Sequence, residues 1–467
     1  MHKIRFLSLV THLCLGFVCL AQADEMHSQQ AWLKPVDAAW TVKPLINVGD
    51  VVGGYRMVGI PDGLGALDNG DGSLSIYMNH EAGKNQGKVR RHLATGAFVS
   101  HWTLDIATLK ITAGEDLIQQ VKLWSADDKQ YVNVPAYSFN RLCSADLPAL
   151  SAFYDAASGK GFNGRLFMNG EEDRSGGRAF AHVLTGQQRG LSYELPYLGK
   201  FAWENAVANP ATGIKTVVMG MDDSPGGQVY VYLGEKRANG NPVEQAGLVG
   251  GQLYALKVDG QRFALASLGD VANMSGDALE KAGQQLGVAN FMRPEDGAWD
   301  AHQPNIFYFA TTDKIDGASQ LFQLRFDNIA QPEKGGLIQA VLNARSIGAQ
   351  MFDNITVAGD GSLLVEEDPG DNPHMASIWQ FDPKTSKAKK ILRVAPEAFL
   401  DQNSPEFLTQ DEENSGIIEI TDLLRTAPWF EAGKRYFLGS LQVHAKSSDP
   451  ELIEGGQLYL ITGRSLP

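Results

Sequence analysis

Ser362-Leu-Leu-Val365 runs straight into Glu366-Glu-Asp368, and after a turn-rich stretch the chain resumes as Ala376-Ser-Ile-Trp-Gln-Phe381. Each apolar run is short, β-branched or aromatic, and bounded by Gly, Pro, Asn and Asp, which is the signature of a strand. The unit is therefore a strand, a group of acids, a loop, and a second strand ending on aromatics. It recurs along the chain. Leu74-Ser-Ile-Tyr-Met78 leads into Asn79-His80-Glu81, Arg165-Leu-Phe-Met168 into Asn169-Gly-Glu-Glu-Asp173, and Lys215-Thr-Val-Val-Met219 into Asp222 and Asp223. Asn305-Ile-Phe-Tyr-Phe-Ala310 leads into Asp313, and Arg435-Tyr-Phe-Leu438 towards His444. Matching second strands are Gly227-Gln-Val-Tyr-Val-Tyr232, Gly251-Gln-Leu-Tyr-Ala-Leu256, Ser319-Gln-Leu-Phe-Gln-Leu324 and Gly456-Gln-Leu-Tyr-Leu460.

A repeated unit of short strands, six times over, predicts an all-β chain folded as a six-bladed β-propeller. At 467 residues the chain is longer than six minimal blades require, so loop and short-helix insertions are expected. A β-sandwich is the rival architecture, but it gives no reason for acids to recur at strand ends. Asp277-Ala-Leu-Glu280 reads as a capping box opening a short surface helix, with Leu279 and Leu286 one heptad apart. Pro148 to Asp155 reads as a helical turn, and the polar, acidic stretch from Gln402 to Ser415 as a loop over one face.

The first residues read as a secretory signal peptide. Lys3 and Arg5 precede a mostly apolar run from Phe6 to Leu20, and Ala21-Gln22-Ala23 is a small-x-small cleavage site. The expected organisation is a signal peptide over residues 1–23 and a single propeller domain over 24–467, periplasmic or secreted. No other stretch reads as a membrane segment. The net charge of −14 excludes nucleic acid as a partner and would repel phosphate esters, unless bound cations invert the local field. Of three cysteines, Cys14 and Cys19 fall in the signal segment, leaving Cys143 with no disulfide partner. A lone thiol is either a small buried hydrophobe or a ligand.

If equivalent strand ends converge on a central channel, the carboxylates there must take up protons or bind cations. The candidates are Glu81, Glu171, Glu172, Asp173, Asp222, Asp223, Glu295, Asp353, Glu367 and Asp368, with Glu204 in Trp203-Glu204-Asn205 beside them. Oxygen-rich groups suit Ca²⁺ or Mg²⁺, and a thiolate among them would favour a transition metal. In Met292-Arg-Pro-Glu-Asp-Gly-Ala-Trp-Asp300, Arg293 stands two residues before Glu295, a spacing that places both on one face of an extended segment. A guanidinium fork beside a metal ligand suits a phosphate; a plain Arg–Glu ion pair is the alternative. Asn79 and His80 are further candidate catalytic groups.

The order Cys143, Glu171-Glu172, Glu204, Arg293-Pro294-Glu295 and then Glu367-Asp368 resembles that of the PhoX-type alkaline phosphatases, over roughly residues 70 to 425. The resemblance implies an exported six-bladed propeller holding iron and calcium. It implies that Cys143, one of Glu171 or Glu172, Glu204 and Glu295 are iron ligands, that Arg293 holds the phosphate, and that the acids near Asp222, Asp353 and Glu367 hold calcium. The expected function is metal-dependent hydrolysis of small phosphate monoesters by a monomer, with the Cys/Glu cluster activating a water or oxo nucleophile. The rival expectations are a calcium-dependent lactonase or phosphodiesterase, and a non-catalytic calcium-binding propeller.

Overall fold

The computed structural model describes residues 30–174 and 176–464; the signal-peptide reading, with Cys14 and Cys19, lies outside them. Six strands form the inner wall: Pro61–Asp68, Leu142–Asp146, Trp203–Ala208, Pro294–Trp299, Phe352–Val357 and Glu412–Glu419. Each contacts the next, and the last returns to the first, so the wall is a closed ring. Each strand begins a sheet that runs outward, antiparallel except in the second blade, where Leu191–Glu194 pairs in parallel with Gln120–Ser125. This is the β-propeller that the repeat predicts. The sixth blade closes the ring: its outermost strand, Thr41–Asn47, comes from the start of the chain and pairs with Gly455–Arg464 near the end. The third and fourth blades also join at their outer edges, where Arg262 and Phe263 pair with Leu337 and Gly336.

Alternate residues of each strand face the blade on either side, so the core lies between blades. Phe201 stacks on Trp203 at 3.9 Å and on Tyr230 at 4.4 Å between centroids. Burying a side chain of this kind stabilises the fold by about 1.5–3 kcal/mol.

The inner strands share one irregularity. Pro61 pairs with His80 and Leu64 with Met78, so Asp62 and Gly63 together oppose Asn79. The same two-against-one bulge occurs at Cys143 and Ser144, at Glu204 and Asn205, at Glu295 and Asp296, and at Asp353 and Asn354. In the sixth blade it falls at Ser415 and Gly416. A bulge re-aims side chains that regular alternation would send elsewhere. Two residues before it, Ile60, Arg141, Arg293 and Met351 have φ of 23°, 45°, 57° and 43°. Left-handed backbone at a non-glycine residue costs on the order of 1–2 kcal/mol. The expectation that Arg293 is extended is thus corrected: the strand starts at Pro294, and a left-handed residue brings the guanidinium over it.

The predicted helix exists as Gly276–Leu286, but Ser275, not Asp277, caps it by accepting from Ala278 N at 3.3 Å. Leu279 is buried while Leu286 is 40% exposed, so the apolar face is narrower than the heptad spacing suggested. A single 3₁₀ turn, Leu150–Ala152, occupies the second helical stretch. The acidic end of the expected 402–415 loop is corrected more sharply: Glu412 opens the inner strand of the sixth blade.

Candidate active site and metal centre

The bulges put one residue from each of five blades at the same depth in the channel. Asp62, Cys143, Glu204, Glu295 and Asp353 are all buried there. The second strands add Glu81, Glu172, Asp223 and Asp368, each one residue beyond the last ladder pair. Ligand atoms of Asp62, Glu81 and Cys143 lie within 4.8 Å of one another, as do those of Glu204, Glu295 and Asp353, and those of Asp353, Asp368 and Glu413. Glu172 bridges the first group: its Oε2 lies 3.1 Å from Cys143 Sγ and 2.5 Å from Arg141 Nη2.

One step deeper, the second bulge residues plug the channel. Asn205 donates to Asp296 Oδ1 at 2.6 Å and to Ser144 Oγ at 3.2 Å, and Asn354 donates to the same Oγ at 3.0 Å. Gly63 and Gly416 complete the layer because nothing larger fits; a Cβ on Gly63 would lie 2.3 Å from Ala145 N. Beyond the plug is the opposite mouth, a cavity of about 450 Å³ with Asp146 in its wall. Burial pushes Asp146 up to about 7, helped by Asp296 and opposed by a hydrogen bond from Ala208 N. A raised carboxyl stabilises the fold fully below its unfolded value, and that contribution is lost as pH rises through 7. Asp146→Asn keeps the acceptor for Ala208 N without the titration. The variant should unfold at the same temperature as the parent near pH 4 and at a higher one at pH 8, as calorimetry would read.

The charge balance of the first mouth points to cations. Burial, with repulsion from neighbouring acids, pushes Asp62, Glu204, Glu295 and Asp353 well above the carboxylate range. Glu172 rises to about 8 by burial, with Arg141 pulling against it, and burial with Glu413 takes Asp368 to about 7. Glu81 is the exception: Arg141, Gln442 and His444 outweigh its burial and hold it low. Asp62 Oδ1 is buried and accepts no hydrogen bond among the described residues. A buried, unpartnered carboxylate oxygen beside a thiol, among crowded acids, fits a metal ion.

Arg293 faces this mouth. Its Nε and Nη2 donate to the two oxygens of Asp223 at 2.8 and 2.9 Å, and Nη2 lies 3.1 Å from Glu295 Oε1. The side chain is 28% exposed and lines a polar cavity of about 530 Å³ with Arg141, Glu172, Ala202 and Asp223.

The model of the alkaline phosphatase PhoX family matches residues 189–397. The chain is PhoX-like. The enzyme class that this match carries is a phosphatase. The structure of Pseudomonas fluorescens PhoX in complex with vanadate, a transition state analogue, superposes with a TM-score of 0.66 over 92% of this chain and 96% of that one, at 12% identity. That likeness bears on the fold. Weaker resemblances include a Dyadobacter fermentans protein of unknown function (TM-score 0.41, 9% identity, 91% and 99% coverage). The periplasmic gluconolactonase PpgL of Pseudomonas aeruginosa is another (0.37, 13%, 73% and 86%). No curated protein sequence matches the chain.

Of the residues singled out in the sequence, this mouth gathers Glu81, Cys143, Glu172, Glu204, Asp223, Glu295, Asp353, Asp368 and Arg293. Four others point away, because alternation turns the residue before each mouth position to the other face of the blade. Glu171 accepts from Tyr137 Oη at 3.0 Å and Asn140 N at 3.1 Å. Asp222 bonds Ser224 and Gln228 within its own turn. Glu367 accepts from Gln350 N at 2.7 Å and lies 3.2 Å from His374 Nε2. His80 stacks on Phe98 at 4.3 Å, with its nitrogens taken by Gly59 O and Ser100 Oγ, and burial lowers it to about 3. Asn79 also faces protein, donating to Cys143 O at 2.6 Å, so it holds the thiol segment in place.

Asp62, Arg141 and Glu413 were missed. Arg141-Leu142-Cys143 repeats the spacing of Arg293-Pro294-Glu295, a signal available in the sequence. Asp62 follows the apolar Met57-Val-Gly-Ile-Pro61 but sits between Pro61 and Gly63 like a turn residue, and Glu413 follows no apolar run. The fourth blade breaks the pattern: Thr312, not Asp313, occupies its second-strand position.

Proposed function

We propose that the chain hydrolyses phosphate monoesters at the mouth lined by Cys143 and the carboxylates, and does so with bound iron and calcium. The observation that carries this reading is Arg293, a guanidinium that lines a polar cavity with Glu172 and Asp223 and is braced by Asp223 and by Glu295, a member of one of the metal-type groups. Cys143, Glu172, Glu204 and Glu295, with Asp62 and Glu81 beside them, would hold iron, since a thiolate selects a transition metal. Asp353, Asp368 and Glu413 offer only oxygen and would hold calcium. Such ions, when bound, act as Lewis acids on phosphoryl oxygens and make water a usable nucleophile at neutral pH.

The chain's own residues supply positioning. Arg293, with Nε and Nη2 held by Asp223 and Glu295, presents Nη1 to the phosphoryl oxygens and offsets the charge that spreads over them. Asp223 and Glu295 hold the fork before substrate arrives, so little reorganisation is left to the reaction. His80 is committed to Gly59 and Ser100, so it takes no part in proton transfer. The acidic surface and the apolar leader fit an exported, periplasmic or secreted, monomeric enzyme acting on a small ester, with no nucleic acid or membrane partner. No helix among the described residues is long and apolar enough to cross a membrane.

The test is hydrolysis of an aryl phosphate at neutral and alkaline pH, alongside the metal content of the purified protein. Turnover with both iron and calcium present is expected. Calcium alone with no turnover would leave a calcium-binding propeller or a lactonase. Cys143→Ala should lose iron while keeping calcium; equal loss of both, or of neither, removes the thiol from the iron site.

A further inference from the structure

We infer that Arg141 is a second phosphate-binding guanidinium, and that the pair Arg141 and Arg293 fits the site to dianionic monoesters over diesters. The inference rests on the phosphatase reading but uses residues that reading does not need. Arg141 and Arg293 occupy the same register position in the second and fourth blades, one residue before the inner strand. Both have left-handed backbone, with φ of 45° and 57°. Both lean on the acids of the mouth through Nε and Nη2: Arg141 Nε donates to Glu81 Oε1 at 2.8 Å, and its Nη2 reaches Glu81 at 2.7 Å and Glu172 at 2.5 Å. These carboxylates stand beside Cys143 as Asp223 and Glu295 stand beside Glu204.

Between the two arginines, the equivalent residue of the third blade is Ala202, which leaves the space open. Both guanidiniums line the same cavity of about 530 Å³, and Arg141 is 49% exposed into it. Two left-handed backbones place two guanidiniums on one opening, each with Nε and Nη2 held by carboxylates and Nη1 left to donate, and together they match an anion with several oxygens to offer. A monoester dianion carries three such oxygens and two charges, whereas a diester carries two oxygens and one charge. One fork serves either ester; the second adds binding chiefly to the monoester.

The metal-loaded enzyme and its Arg141→Ala and Arg141→Lys variants test this, with p-nitrophenyl phosphate, bis(p-nitrophenyl) phosphate and inorganic phosphate as probes. In Arg141→Ala the monoester-to-diester ratio of kcat/KM should fall about tenfold or more, and the inhibition constant for phosphate should rise by a similar factor. Arg141→Lys, which keeps a charge near Glu81 and Glu172 but not the fork, should recover part of both at parental metal content. Phosphate should also raise the unfolding temperature of the parent more than that of either variant. An unchanged ratio and inhibition constant in Arg141→Lys with metals bound would overturn the inference, as would lost activity in Arg141→Ala that follows metal loss alone. A parent with no monoesterase activity would overturn the phosphatase reading instead; an active parent that Arg293→Ala silences, with Arg141 neutral, would sink only the second fork.

Discussion

Replacing Arg293 with alanine should lower kcat/KM for an aryl phosphate about a thousandfold, the scale on which a guanidinium acts in phosphoryl transfer. The size follows from where the side chain sits. Its fork is bonded to both oxygens of Asp223 and lies against Glu295, so its orientation is settled before binding. A preorganised charge in a secluded site is worth more than the same charge in water. Arg293→Lys should fall between parent and alanine, because an ammonium supplies charge without two parallel donors. Steady-state kinetics at several pH values reads the effect, and metal content separates two causes of it. Removing the guanidinium leaves Asp223 and Glu295 without their partner, which should tighten cation binding if it does anything. Iron and calcium should therefore stay at parental levels while turnover collapses. A variant that keeps most of its activity would take the phosphate off Arg293 and leave a lactonase or binding role standing.

The fold was legible because apolar strands interrupted by acids stand out against a polar background, and Leu363 to Asp368 repeats in kind at Leu166 to Glu172 and Lys215 to Asp223. The site was legible only in part. Sequence shows a pair such as Glu171-Glu172 or Glu367-Asp368 but not which member faces the axis. That choice depends on ladder register, and register depends on a bulge that no composition announces. Once Leu142 is known to pair with Glu171, Glu172 must take the mouth position and Glu171 must turn to Tyr137. Asp62 was hidden for a related reason. Flanked by Pro61 and Gly63, it reads as a turn, although that glycine is there for the crowded axis. Glu412 and Glu413 look like loop because the strand opens on four polar residues, Glu412 to Ser415, and its apolar pair, Ile417 and Ile418, comes only towards its end.

Stripping the metals should leave a protein whose stability falls steeply from pH 5 to 8, while the loaded protein falls less, through raised carboxyls away from the mouth such as Asp146. Without cations, Glu172 titrates near 8 and Asp368 near 7, and burial with mutual repulsion holds Asp62, Glu204, Glu295 and Asp353 well above the ordinary range. In the unfolded chain the same groups lose their protons near pH 4. Between those limits the folded apo protein binds more protons than the unfolded one, so stability is full below about pH 4 and drains away as pH climbs through 7 to 8. Glu81, held low by Arg141, works the other way but is one carboxylate against several. With several groups involved the loss should be on the order of several kcal/mol, a fall in unfolding temperature of roughly ten degrees or more for a chain of this size. Cations take the place of those protons and compete better as pH rises, so the gap between loaded and stripped protein should widen from pH 5 to pH 8. Calorimetry of chelator-treated and reloaded protein at the two pH values measures it. Equal unfolding temperatures for the two forms at pH 8 would mean that the converging acids hold no ion, and the phosphatase reading would go with them.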